Sequence, residues 1–137
     1  MKIDFLSTIA VIAPDPPLSR RLYVDTLGLP LQSGPGEEYF HSEQLPGCKH
    51  FGVWPLHEAA QACFDRPSWP SDRPVPQVSL EFDVSDAEAV QAAADELAAA
   101  GYEILHPARE EPWGQTVTRL QSPEGFIVGV SYTPALH

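Results

Sequence analysis

Glu110-Glu111-Pro112-Trp113-Gly114-Gln115, then Thr116-Val117-Thr118-Arg119-Leu120, then Ser122-Pro123-Glu124-Gly125 and Phe126-Ile127-Val128-Gly129-Val130-Ser131-Tyr132, is the stretch that decides the fold. Proline presets one turn dihedral and glycine supplies a positive one, so Pro-Trp-Gly launches a strand and Ser-Pro-Glu-Gly folds it back. The reading is a closing hairpin, with strands at Gln115–Leu120 and Phe126–Tyr132. Upstream, Gln77–Phe82 alternates Val78, Leu80 and Phe82 with Gln77, Ser79 and Glu81, the period of a half-buried strand. Ser85 and Glu88 have capping-box spacing, with Val84 placed as a staple. An alanine-rich helix then runs through Val90, Ala94 and Leu97 to Gly101, and a short strand is expected at Tyr102–Leu105.

The first part of the chain repeats this order. Phe5–Ile12 reads as a strand, and Asp15 with Pro16 as a helix start. Leu18, Leu22, Tyr23 and Leu27 share a helical face and Gly28 ends it. Strands are expected at Leu29–Gln32, Glu37–Ser42 and Cys48–Trp54. Each half is therefore βαβββ: a first module at 1–57 and a second at 76–137. A proline-rich connector at 58–75 holds one helical turn around Glu58–Phe64. One module leaves a sheet face uncovered, so the expected fold is α+β, with two modules pairing their sheets into an open barrel around a cavity.

The closing hairpin and the duplication together resemble the vicinal-oxygen-chelate superfamily of glyoxalases, bleomycin-resistance proteins and extradiol dioxygenases. The Pro112-Trp113-Gly114 corner is most similar to the bleomycin-resistance branch. Metal-dependent members place a His, Glu or Gln on the first and the last strand of each module. Carried over by counting back from Asp15 and Asp83, these positions are Thr8, Gly52, Gln77 and Gly129. Glycine has nothing to coordinate with, and one amide oxygen does not hold a divalent ion. No cofactor is therefore expected there, a divalent metal at displaced ligands being the alternative. The paired glycines have two readings: a wide cavity, or relief of crowding where strands curve.

By strand parity, Thr8, Ala10, His50, Trp54, Gln77, Ser79, Glu81, Ile127 and Ser131 point into the cavity. Glu81 is the candidate catalytic residue, open to three roles: general base, anchor for a cation, or partner of Arg119. Trp54 and Trp113 are candidates for stacking on a flat or cationic ligand, Trp113 at the mouth. Tyr39, His41 and His50 fall on neighbouring strands, where two histidines with Glu81 would make a displaced metal site. His57, His106 and His137 carry no signal.

Nineteen acids against 8 Lys and Arg give a net charge of −11, which repels phosphate backbones and argues against nucleic acid. No apolar run approaches the ~20 residues of a membrane span. Met1-Lys2-Ile3-Asp4-Phe5 does not read as a signal peptide, and Cys48 and Cys63 make no disulfide framework, so a cytoplasmic setting is expected. The functional expectation is a small-molecule binding protein, a homodimer by resemblance, sequestering a cationic or aromatic compound such as an antibiotic. The alternative is a glyoxalase- or dioxygenase-like enzyme, a lyase, isomerase or oxygenase, using displaced ligands or metal-free acid–base catalysis.

Overall fold

The computed structural model describes residues 1–137. The strands are β1 (Phe5–Ala13), β2 (Phe40–Ser42), β3 (His50–Pro55), β4 (Val78–Asp83), β5 (His106–Glu110), β6 (Thr116–Gln121) and β7 (Ile127–Tyr132). They form one seven-stranded sheet in the order β2-β3-β1-β4-β7-β6-β5. The two modules join where β1 and β4 run antiparallel, and within each module the first strand pairs parallel with the last. The expected α+β duplication is therefore present. The sheet stays open rather than closing into a barrel, because β2 and β5 remain separate edges.

Helices lie on both faces. On one face, α3 (Ala87–Ala99) covers Val84 and Val130, while the first-module helix and its loop pack on Ala13, Phe40 and Val53. On the other face, α2 (Leu56–Phe64), the expected turn in the connector, sets Ala59, Ala60 and Cys63 on Ile12 and Ile127. This second helix layer occupies part of what a barrel reading leaves as cavity.

Local departures from the sequence reading have identifiable causes. Asp15 caps α1 (Pro16–Arg20) as expected, but the chain then winds as a π-helix over Arg21–Thr26. Leu27 N–H donates to Leu22 at 2.8 Å, five residues back. The wider turn rotates the apolar stripe, so Tyr23 and Val24 pack inward while Leu22 and Leu27 are exposed; Leu18, in the α-helical turn before it, is exposed as well. The expected strand at Leu29–Gln32 is reduced to a single bridge, Gln32 to His41. The cap of α3 is Asp86, whose carboxylate accepts from Ala89 N–H at 2.8 Å, in place of Ser85. Tyr102–Leu105 is a loop and the strand starts at His106, because Gly101 adopts a positive φ of 97° and carries the chain back to the sheet first. The closing hairpin forms as read. Gly114 and Gly125 both have φ of 89°, and their amides donate to Glu111 and Ser122 at 2.9 and 2.8 Å. No helix is long and apolar enough to cross a membrane.

Candidate functional site: a polar row across the sheet

Strand register brings six residues into one line on the face that carries α2. His106 pairs with Arg119, Arg119 with Gly129, Gly129 with Glu81, Glu81 with Thr8, and Thr8 with His50. The next row is Ile127, Ser79, Ala10, Gly52 and His41. The inward parity of Thr8, Ala10, His50, Ser79, Glu81 and Ile127 thus matches the register. Gln77 lies outside β4 and is exposed, so it is not part of either row.

The two helix caps, Asp15 and Asp86, set the internal equivalence of the modules. Matching cap to cap pairs Thr8 with Ser79 and Ala10 with Glu81, and the register then pairs Gly52 with Gly129. Gln77 stands nine residues before its module's cap, Asp86, whereas Thr8 stands seven before Asp15, so the cap-to-cap match puts Ser79 in its place. The corrected quartet is Thr8, Gly52, Ser79 and Gly129, two hydroxyls and two glycines. Those donors do not fit the family's metal site.

Each glycine lies under a side chain of this chain. A Cβ on Gly52 would stand 2.6 Å from the ring of Tyr39, and one on Gly129 would stand 3.1 Å from Cγ of Glu81. The glycines therefore permit close packing rather than lining an open cavity.

The second-module end of the row is sealed. Arg119 is 1% exposed; it donates to Glu111 at 3.1 Å, lies 3.2 Å from His106 Nε2 and stands 3.9 Å from Glu81. Its guanidinium carbon sits 5.5 Å above the ring of Trp54. Trp54 is thus taken up by Arg119 and the α2 core, not free to stack on a ligand. Glu81 also accepts a short hydrogen bond from Gln115, whose carbonyl oxygen accepts from Trp113 Nε1 at 2.9 Å. Trp113 itself is 62% exposed at the rim. Burial raises the Glu81 pKa, with Arg119 and Gln115 opposing that shift. Burial also lowers His106 to about 4, so its imidazole is neutral at pH 7. Of the three roles open to Glu81, the geometry realises the pairing with Arg119.

The first-module end is half-open. Tyr39, His41 and His50 stack face to face: the two histidine rings are 4.9 Å apart, and Tyr39 lies 4.9 Å from His41 and 5.8 Å from His50. Tyr39 Oη meets His50 Nε2 at 2.5 Å, and Glu43 Oε1 lies 3.0 Å from His50 Nδ1 and 3.3 Å from His41 Nδ1. Burial lowers the His50 pKa, with Glu43 opposing, and burial together with Glu81 and Glu43 raises that of Tyr39 well above its ordinary value. Beside His41 and Glu43 opens a hollow of about 440 Å3, lined also by Gln32, Ser33 and Gln44. Glu81 is not in this group; Glu43 takes the third place expected for it.

Sequence reasoning missed Glu43, Glu111, Gln115 and His106. Alternation along one strand relates His41 to Glu43, a signal that was available. Glu111 and Gln115 belong to the corner, where no periodicity applies, and His106 was hidden by the displaced β5 boundary.

The duplicated sheet, from the start of β1 into β7, matches a single family description. Residues 5–130 match the model of the Glyoxalase/Bleomycin resistance protein/Dioxygenase superfamily. The chain belongs to this superfamily. Among solved structures it is similar to a superfamily member from Vibrio splendidus 12B01, with TM-score 0.58, 20% identity, and 93% of this chain and 99% of that chain covered. It is also similar to a variant of Streptomyces coelicolor methylmalonyl-CoA epimerase in complex with 2-nitronate-propionyl-CoA, with TM-score 0.60, 16% identity and 99% of both chains covered. A third is the Mn(II)-bound glyoxalase from Novosphingobium aromaticivorans, with TM-score 0.57, 16% identity, 93% of this chain and 37% of that chain. At these identities the likeness is one of fold. No curated protein matches the chain in sequence.

Proposed function

We propose that this superfamily member is a small-molecule binding protein whose ligand, aromatic or cationic, lies against the half-open end of the polar row. The observation that carries this reading is His41, which stacks on Tyr39 and His50 and, with Glu43, lines a hollow of about 440 Å3. That volume falls within the roughly 300–1,000 Å3 of small-molecule sites. His41 offers the hollow one ring for a flat group, and Glu43 beside it selects for positive charge. Kinship with the antibiotic-sequestering branch, and pairing of two chains as a homodimer, belong to the same proposal. So does a cytoplasmic setting.

An enzyme using Glu81 as acid or base is the second reading, favoured by its raised pKa on a row shared with Thr8. Glu81 is only 7% exposed and held by Gln115 and Arg119, so a substrate would have to displace them. Thermal melts with cationic aromatic compounds, in chelator, test the first reading, because a ligand that binds only the folded chain raises Tm. The expected outcome is a saturable rise for wild type that is reduced in Glu43→Gln and unchanged in Glu81→Gln. A rise lost only in Glu81→Gln would move the site to the sealed end.

A further inference from the structure

Glu43 lies against both imidazoles, one carboxylate oxygen 3.0 Å from His50 Nδ1 and 3.3 Å from His41 Nδ1. With bonds of roughly 2.0–2.1 Å, donors around one zinc-like ion stand about 3.0–3.4 Å apart. Both carboxylate–imidazole separations fall in that range. Each of the three residues brings a ligand atom within 4.8 Å of the other two, so a small movement of the two rings toward the carboxylate completes the set. We propose that His41 Nδ1, His50 Nδ1 and the Glu43 carboxylate bind a divalent first-row transition-metal ion, with its remaining positions open to the adjoining hollow.

Three further observations point the same way. His41 Nδ1 is buried and has no hydrogen-bond partner, although it lies only 3.3 Å from the carboxylate: a ligand-type atom left unsatisfied beside this point. On His50, Nε2 is engaged by the Tyr39 hydroxyl, which leaves Nδ1 as the nitrogen directed at Glu43. An acceptor behind a ligating imidazole is the usual means of fixing its tautomer and ring orientation. Finally, the hollow supplies polar surroundings, through Gln32, Ser33 and Gln44, for water or a ligand on the ion.

Two imidazoles with one carboxylate suit zinc, cobalt(II) or nickel(II) better than magnesium or calcium, which take oxygen donors. The site is not the family quartet. Its residues all come from the first module, on β2, just after it, and on β3, whereas the quartet draws on the first and last strands of both modules. It stands independently of the organic-ligand reading, since the ion needs no organic partner. The two occupants would share Glu43 and exclude one another there.

The test is titration of the whole chain, freed of metal by chelator and then dialysed, with zinc and with cobalt(II). Calorimetry gives the stoichiometry, and the visible spectrum of cobalt(II) reports nitrogen ligation. Wild type is expected to take up one ion per chain with a protein-specific cobalt band. Glu43→Gln, at a half-exposed position where folding is not at stake, should lose that uptake, and His41→Gln and His50→Gln should lose it too. Tyr39→Phe should retain the ion with affinity lowered about 10–100-fold. His57→Gln, in the separate exposed group of Glu38, His57 and Glu58, should bind as wild type does. Absence of saturable uptake by wild type would overturn the proposal. So would uptake that survives Glu43→Gln, or that disappears with His57→Gln. Circular dichroism on each variant identifies any that fails to fold, and Glu43→Gln then decides.

Discussion

The two modules place different chemistry on equivalent positions of one scaffold. Gly52 answers to Gly129, and through them His41 on β2 answers to Arg119 on β6. In the second module the glycine lies under Glu81, and an arginine closes over it with Glu111, His106 and Trp54 around its head. In the first, the glycine lies under Tyr39, and an imidazole pair remains half-open beside a carboxylate. The backbone is the same, but one end is a sealed charge cluster and the other a reachable one. The difference teaches that the fold supplies a register, and that the residue laid over the glycine decides whether that register becomes core or site.

Substitutions that break this contrast should rank by burial. Arg119→Ala has the largest expected effect, because it leaves Glu81 and Glu111 buried without their cation. Removing one partner of a buried pair costs about 3–5 kcal/mol. Urea denaturation measures it, and adding Glu81→Gln should recover part of the loss.

Next comes the glycine pair. Gly52→Ala drives a methyl into the Tyr39 ring and should cost about 1–3 kcal/mol, as overpacking does. Combining it with Tyr39→Ala should cost less than the sum. Gly129→Ala meets a movable Glu81 Cγ at 3.1 Å and Val117 at 3.3 Å, so it should cost less than Gly52→Ala. The reverse order would mean that Tyr39 moves aside freely and that the open end is looser than described.

The pH dependence is smaller and separates the ends further. His106 is lowered to about 4, against 6.5 for an ordinary histidine. Between these values the unfolded chain binds a proton that the folded chain refuses. Its contribution is therefore complete above pH about 6.5 and is lost as pH falls toward about 4. The raised carboxyl of Glu81 works in the opposite sense in acid, so the informative quantity is the difference between proteins. Wild type should lose more stability from pH 7 to 5 than His106→Gln does, as measured by denaturation at each pH. Equal losses would mean that His106 is solvated in the folded state. Smallest of all, Trp113→Ala at the exposed rim should change stability by no more than about 0.5 kcal/mol.

The duplication was legible in the repeated order of elements, and the face of β4 in the alternation of Val78, Leu80 and Phe82 with Ser79 and Glu81. Pro112, Gly114, Pro123 and Gly125 likewise dictated the closing hairpin. Two kinds of information were not local. The π-helical turn at Arg21–Thr26 sets Tyr23 and Val24 inward and leaves Leu22 and Leu27 exposed, and no residue in it announces the extra winding. The equivalence of the modules depends on whether Asp83, Ser85 or Asp86 caps α3, and all three are ordinary capping types close together. With Asp86 as the cap, Ser79 and not Gln77 is the counterpart of Thr8, and its hydroxyl adds no strong metal donor. The capacity of Tyr39 to cover Gly52 depends on two segments meeting in space, which spacing along the chain does not encode.

Strand β2 is three residues long, lies at the sheet's edge and pairs fully only with β3, while Gln32 offers a lone bridge on its outer side. Short edge strands open by local unfolding at a small fraction of the global free energy. Amide hydrogens of Phe40, His41 and Ser42 should therefore exchange with solvent sooner than those of β1 and β4 in the centre. An occupant holding His41 to His50 would tie that edge shut. Slowed exchange at these amides would then register binding by any compound or ion at this end, even one that gives no colour and no heat.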